Sequence, residues 1–84
     1  MNTDAHISSA FVSIRLFASL GCFMPESPDA YPITPGMTIQ DLLGQLGVPL
    51  SQAKLVFVNN LGADTNTKLF GGERVGVFPP VGGG

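Results

Sequence analysis

The seven residues Phe78-Pro79-Pro80-Val81-Gly82-Gly83-Gly84 put a sterically bare carboxylate at the end of a stiff stalk, an arrangement suited to chemistry on the C-terminus itself. Two consecutive prolines fix φ and lack a backbone N–H, so they stop a preceding strand and send the chain into an extended, polyproline-like path. Three glycines then remove every β-carbon, which lets a narrow enzyme channel close around the backbone and reach the carboxyl group of Gly84. Fully extended, Pro79 to Gly84 projects about 20 Å from the body of the protein. A frayed terminus or a linker is the plainer reading of a glycine end, but linkers are Gly/Ser mixtures and seldom begin with Phe-Pro-Pro-Val.

Little else in the chain has the residue types that chemistry requires. Cys22 is the only cysteine, with no Lys, Arg or His beside it in sequence to activate a thiolate, so it reads as an inert loop or packing residue. It also excludes an intramolecular disulfide, which fits a reducing, cytoplasmic setting. With one His, His6, and one Cys, no metal-ligand cluster of recognisable spacing exists and no metal site is expected. Gly71-Gly72 lacks the Lys-Ser/Thr pair of a phosphate loop. Four Lys/Arg against six Asp/Glu give a net charge of −2, the reverse of a nucleic-acid-binding footprint. The first ten residues contain no Lys or Arg, and the longest strongly apolar run, Leu55 to Val58, is far too short to span a bilayer, so neither a signal peptide nor a membrane anchor is expected.

A tail needs a body to hold it, and 84 residues suffice for one small domain. Residues 1–10 are polar and mixed, which predicts a disordered leader; residues 11–78 form the domain and residues 79–84 its extended tail. Hydrophobic residues reach 44% against 12% charged, more apolar matter than so small a core can hide, so part of it should face a partner. Val12, Ile14 and Leu16 alternate with Ser13, Arg15 and Phe17, the period of a half-buried strand. Gly21 to Pro28 predicts a loop. A short strand at Ala30 to Thr34 would return antiparallel, and Pro32 makes it an edge. After a turn at Pro35-Gly36, Thr38 and Asp41 have capping-box spacing, and Ile39, Leu42, Leu43 and Leu46 form one helical stripe that Gly47 ends. Leu55 to Val58 reads as a central strand with both faces at least partly covered, and Asn59 to Gly62 as the turn that closes it. Asp64 to Phe70 is a polar connection with room for a short edge strand. Gly71 to Arg74 then turns into a last strand, Val75 to Phe78. The expected fold is therefore α+β: a mixed sheet of four to five strands, first and last paired at its centre, with one main helix on one face, a β-grasp.

This element order and the ending Phe78-Pro79-Pro80-Val81-Gly82-Gly83-Gly84 resemble the MoaD/ThiS family of ubiquitin-like sulfur carriers over about residues 11 to 84. In the MoaD branch the ending is typically Phe-Pro-Pro-Val, a variable residue, then Gly-Gly; here Gly82 takes the variable place. Gly72-Glu73-Arg74-Val75 is a shifted version of the family's Gly-Asp-Glu-Val turn. The departures are a longer leader before Phe11 and a less charged Gly21 to Pro28 segment.

The resemblance implies that a ubiquitin-activating-type enzyme uses ATP to adenylate the Gly84 carboxylate, and that a sulfur donor converts the acyl-adenylate to a thiocarboxylate. It implies no bound cofactor. Pro79, Pro80, Val81, Gly82 and Gly83 would occupy the partner's channel, and in the MoaD branch that partner is the large subunit of molybdopterin synthase. Phe17 and Phe78 share outward parity on the first and last strands. With Leu61 they are expected to form the apolar patch on which such carriers dock. The same chemistry could feed thiamin, cysteine or another sulfur-containing metabolite. A ubiquitin-like modifier joined to lysines would need the same tail, and a passive β-grasp module would not need it.

Overall fold

The computed structural model describes residues 10–80. The alternation of Val12, Ile14 and Leu16 becomes β1 (Ala10–Leu16), in which those three side chains are buried. Ala10 is already part of that strand, and the rest of the expected leader lies outside the described residues. β2 (Tyr31–Ile33) returns antiparallel and places Pro32 opposite Phe11 on an outer edge, where its missing N–H costs no ladder bond.

The helix forms as its capping and periodicity require. In α1 (Ile39–Leu46) the Asp41 N–H donates to Thr38 Oγ1, and the Thr38 N–H donates to Asp41 Oδ2, each at 3.1 Å. Gly47 ends it in the left-handed conformation at φ 85°, which a β-carbon would penalise. Ile39, Leu42 and Leu43 are fully buried against Val12, Ile14, Leu16, Val56, Val75 and Val77 of the sheet. An eight-residue helix cannot persist alone. Burial of this stripe, at roughly 1.5–3 kcal/mol per large aliphatic side chain, is what holds it in place.

Three further strands complete the main sheet: β4 (Leu55–Val58), β5 (Leu61–Ala63) and β7 (Arg74–Phe78). The order is β2-β1-β7-β4-β5, with β1 parallel to β7 and the other neighbours antiparallel. First and last strands thus meet as expected, and the α+β fold is the β-grasp of five strands and one main helix. β3 (Met37–Thr38) and β6 (Lys68–Leu69) form a separate two-stranded ribbon beside the helix start, so the polar connection does contain a short strand.

Three local expectations need correction. Residues 18–23 form a 3-10 helix within the segment read partly as loop, because the Leu20 N–H donates to the Phe17 carbonyl at 3.0 Å and Leu20 plugs into the core. The turn after β4 is only Asn59-Asn60. Both residues take positive φ, 54° and 70°, as a two-residue hairpin demands and asparagine tolerates, so Leu61 and Gly62 belong to β5. β4 is an inner strand as expected, hydrogen-bonded to β7 and β5, with Val56 buried on one face and Phe57 partly covered on the other. The helix covers one side only, which buries Val56 and leaves Leu55 50% exposed. The last strand begins at Arg74, one residue early.

A stacked aromatic face at the root of the tail

The sheet face opposite the helix carries the alternate residues of each strand. β1 contributes Phe11, Ser13 and Arg15, β7 contributes Arg74, Gly76 and Phe78, and β4 contributes Leu55 and Phe57. The Phe17 N–H donates to the Val77 carbonyl at 3.0 Å, extending the parallel ladder one residue past β1 and setting Phe17 beside Phe78. Their rings stack with centroids 4.2 Å apart and planes 5° from parallel, and Phe57 meets Phe78 edge-on at 5.8 Å. Such ring pairs contribute about 1 kcal/mol beyond the area they bury. Immediately after Phe17, Ala18 takes φ 53°, a left-handed conformation without the freedom of glycine. The chain turns sharply there and leaves the ring on the sheet.

Gly76 lies at the centre of this face, opposite Arg15 on one side and Phe57 on the other. A β-carbon at Gly76 would sit 3.5 Å from Phe17 Cε2, so the missing side chain leaves a hollow that the Phe17 ring overhangs. The result is a cleft of about 380 Å³ whose walls are Phe17, Phe57 and Phe78 and whose rim carries Arg15, Arg74 and Asn60. Arg15 donates to Asp29 Oδ1 at 2.8 Å, the one ion pair among the described residues, and to the Ile14 carbonyl at 3.0 Å. Arg74 is held by its backbone, whose N–H donates to Asn59 Oδ1 at 2.9 Å.

The tail leaves from this face. The Lys54 N–H donates to the Phe78 carbonyl at 2.9 Å, the last ladder-like anchor, after which Pro79 is half-buried and Pro80 exposed. Val81, Gly82, Gly83 and Gly84 lie outside the described residues. Phe17 and Phe78 are thus brought together, but Leu61 is not with them. It pairs with Val58, whose side chain packs toward the core, so Leu61 projects from the other side of the sheet edge and is 72% exposed. Phe57 takes the place expected of Leu61. Its signal was available, since a residue between Val56 and Val58 must face away from them in a one-sided sheet.

The remaining candidates stay apart from the cleft chemistry. Cys22 is exposed, and its thiol donates to the Ser19 carbonyl at 3.4 Å. Asp41 is spent on the helix cap. Among the described residues there is no cluster of three His, Cys, Asp or Glu side chains able to hold a metal, and no helix long and apolar enough to cross a membrane.

A sequence model of the ThiS family matches residues 14–84, from the middle of β1 through every later element. The chain belongs to the ThiS family. ThiS-family proteins are sulfur carriers and not catalysts, and they work with a ubiquitin-activating-type adenylating enzyme. No curated protein matches the chain. For a ThiS-family carrier the distribution of features is coherent, because a protein that is itself the substrate needs a presentable carboxylate and a surface to be held by.

Proposed function

We propose that this ThiS-family carrier is the small subunit of a molybdopterin synthase, delivering sulfur for molybdenum or tungsten cofactor assembly in the cytoplasm. The observation that carries the reading is the ending Phe78-Pro79-Pro80-Val81-Gly82-Gly83-Gly84, which follows the MoaD-branch pattern; the family match through Gly84 supports the carrier role common to every branch. The chemistry starts at a poor electrophile, because the charge of the Gly84 carboxylate is delocalised over two oxygens. Attack of that carboxylate on the α-phosphorus of ATP releases pyrophosphate and gives an acyl-adenylate. Hydrosulfide supplied by the donor then adds to the carbonyl carbon, AMP leaves, and loss of the S–H proton leaves Gly84 as a thiocarboxylate.

That thiocarboxylate is ionised at neutral pH and nucleophilic, so its sulfur can attack an electrophilic carbon of the pterin precursor within the large subunit, and hydrolysis of the resulting thioester leaves the sulfur on the pterin and returns the Gly84 carboxylate. Pro79 and Pro80 keep the tail extended, and Val81, Gly82 and Gly83 thread the channel.

The test combines the thiocarboxylated chain with the large subunit of its host's molybdopterin synthase and the pterin precursor. Dithiolene formation is the expected result. Failure there, with sulfur passed to the thiazole of thiamin by the same preparation, would overturn the assignment to this branch. Mass spectrometry of the tryptic peptide Val75 to Gly84 checks the preceding step: an ATP-dependent exchange of oxygen for sulfur is expected, in a peptide with no Met or Cys to oxidise. A branched peptide joined to a lysine would instead assign the tail to protein conjugation.

A further inference from the structure

We propose that the polar end of the cleft is a binding site for a phosphate-type oxyanion, held by Ser13, Asn60 and Arg74. Strand register builds it. Ser13 and Arg74 are Cα partners in the parallel β1–β7 ladder, so their side chains stand side by side on the sheet face opposite the helix. On the other flank the Asn59 N–H donates to the Arg74 carbonyl at 2.8 Å, and the Arg74 N–H donates to Asn59 Oδ1 at 2.9 Å. These two bonds fix the β4–β5 turn, and with it Asn60, against Arg74. All three side chains line the cleft of about 380 Å³, a volume at the small end of the range for ligand pockets. The Phe17 ring already lies over Gly76, which leaves the polar end as the part for a ligand to enter.

Charge and donor chemistry name the ligand. Two of the chain's four Lys/Arg residues line the cleft and no carboxylate does, although the protein as a whole is negative. The guanidinium of Arg15 is committed to Asp29 and the Ile14 carbonyl. Glu73, the sequence neighbour of Arg74, spends its carboxylate on the Phe70 and Gly71 N–H groups at 2.9 and 2.8 Å. Arg74 therefore keeps an uncompensated charge. Its guanidinium, the Ser13 hydroxyl and the Asn60 amide make no hydrogen bond or ion pair among the described residues. The guanidinium offers a planar fork of N–H donors, the hydroxyl one donor and the amide two. A carboxylate spends both of its oxygens on such a fork, whereas a phosphate has a third oxygen left for the hydroxyl and the amide. Free phosphate and the phosphate of a nucleotide share this chemistry.

The site is complete in the free chain, so it can be tested without a partner and apart from the carrier reading. The experiment titrates the full chain with sodium phosphate and follows it by proton–nitrogen NMR, with sodium chloride at matched ionic strength as the reference. Saturable shifts at Ser13, Asn60 and Arg74 are expected with phosphate alone, at a Kd of about 1 mM. Arg74→Gln should weaken binding about tenfold and Ser13→Ala about threefold. Lys68→Gln removes the same charge from the β3–β6 ribbon and is expected to leave the Kd unchanged. Equal shifts with chloride, shifts of the same size around Lys54 and Lys68, or an equal loss in Lys68→Gln would overturn the site by referring the effect to net charge. An unchanged Kd in Arg74→Gln would overturn it as well. A parallel titration with AMP separates the two sources. Binding about tenfold tighter than phosphate, with the Phe57 and Phe78 ring signals moving, would assign the site to a nucleotide, and equal or weaker binding with the rings unmoved would assign it to free phosphate.

Discussion

Two aromatic rings and one strained alanine set the geometry at the root of the tail. Phe17 and Phe78 stack face to face although Phe17 remains 39% exposed, so their attraction should be measurable apart from core burial. A double-mutant cycle of Phe17→Ala and Phe78→Ala, read by urea denaturation, is expected to give a coupling of about 1 kcal/mol. Additive losses would mean the rings do not stabilise each other. Ala18 occupies a left-handed backbone region that a β-carbon disfavours, and Ala18→Gly should therefore raise stability by about 1 kcal/mol despite the more flexible unfolded chain. A decrease in the unfolding midpoint would show that the strain at Ala18 is smaller than the entropy glycine adds.

At the scale of elements, each piece forms where local chemistry and burial agree. The capping box of Thr38 and Asp41 satisfies the first N–H groups of α1, so Thr38→Ala is expected to cost about 1 kcal/mol in chemical denaturation. Leu43→Ala, within the buried stripe, should cost about 2–5 kcal/mol, enough to leave so small a domain partly unfolded at 37 °C. Both features were legible in the sequence because they rest on short-range spacing: i to i+3 for the cap, i, i+3, i+4 and i+7 for the stripe. The alternation of β1 was equally plain. What sequence reading missed depends on partners distant along the chain. Asn59-Asn60 did not by itself show which face of the sheet Leu61 would join, and its pairing with Val58 turns it away from Phe78. The cleft was hidden for the same reason, since Gly76 becomes a hollow only once β1 and β4 set Arg15 and Phe57 beside it. The 3-10 helix at Ala18–Phe23 has a weak local signal and is held by burial of Leu20.

Considered whole, the molecule separates what keeps it folded from what it presents. The core lies between the helix and one face of the sheet, while the aromatic cleft and the root of the tail lie on the other. Deletion of Gly84, or Gly83→Trp, is accordingly expected to leave the thermal unfolding curve unchanged and to abolish thiocarboxylate formation, scored on the C-terminal peptide. Sulfur appearing on either variant would detach the chemistry from the tail. The pairing of β1 with β7 also bears on how the protein is made. β7 is the last strand synthesised yet the middle strand of the sheet, and both β1 and β4 hydrogen-bond to it. While translation is under way, the β1–β2 and β4–β5 pairs have no middle strand to join them, and a nascent chain halted before Arg74 cannot close its core. Acquisition of structure is thereby postponed until nearly the whole message has been read. Interrupted products would remain open to proteases, and the surface by which the carrier is gripped would exist only on chains in which the strand leading into the stalk has already been made.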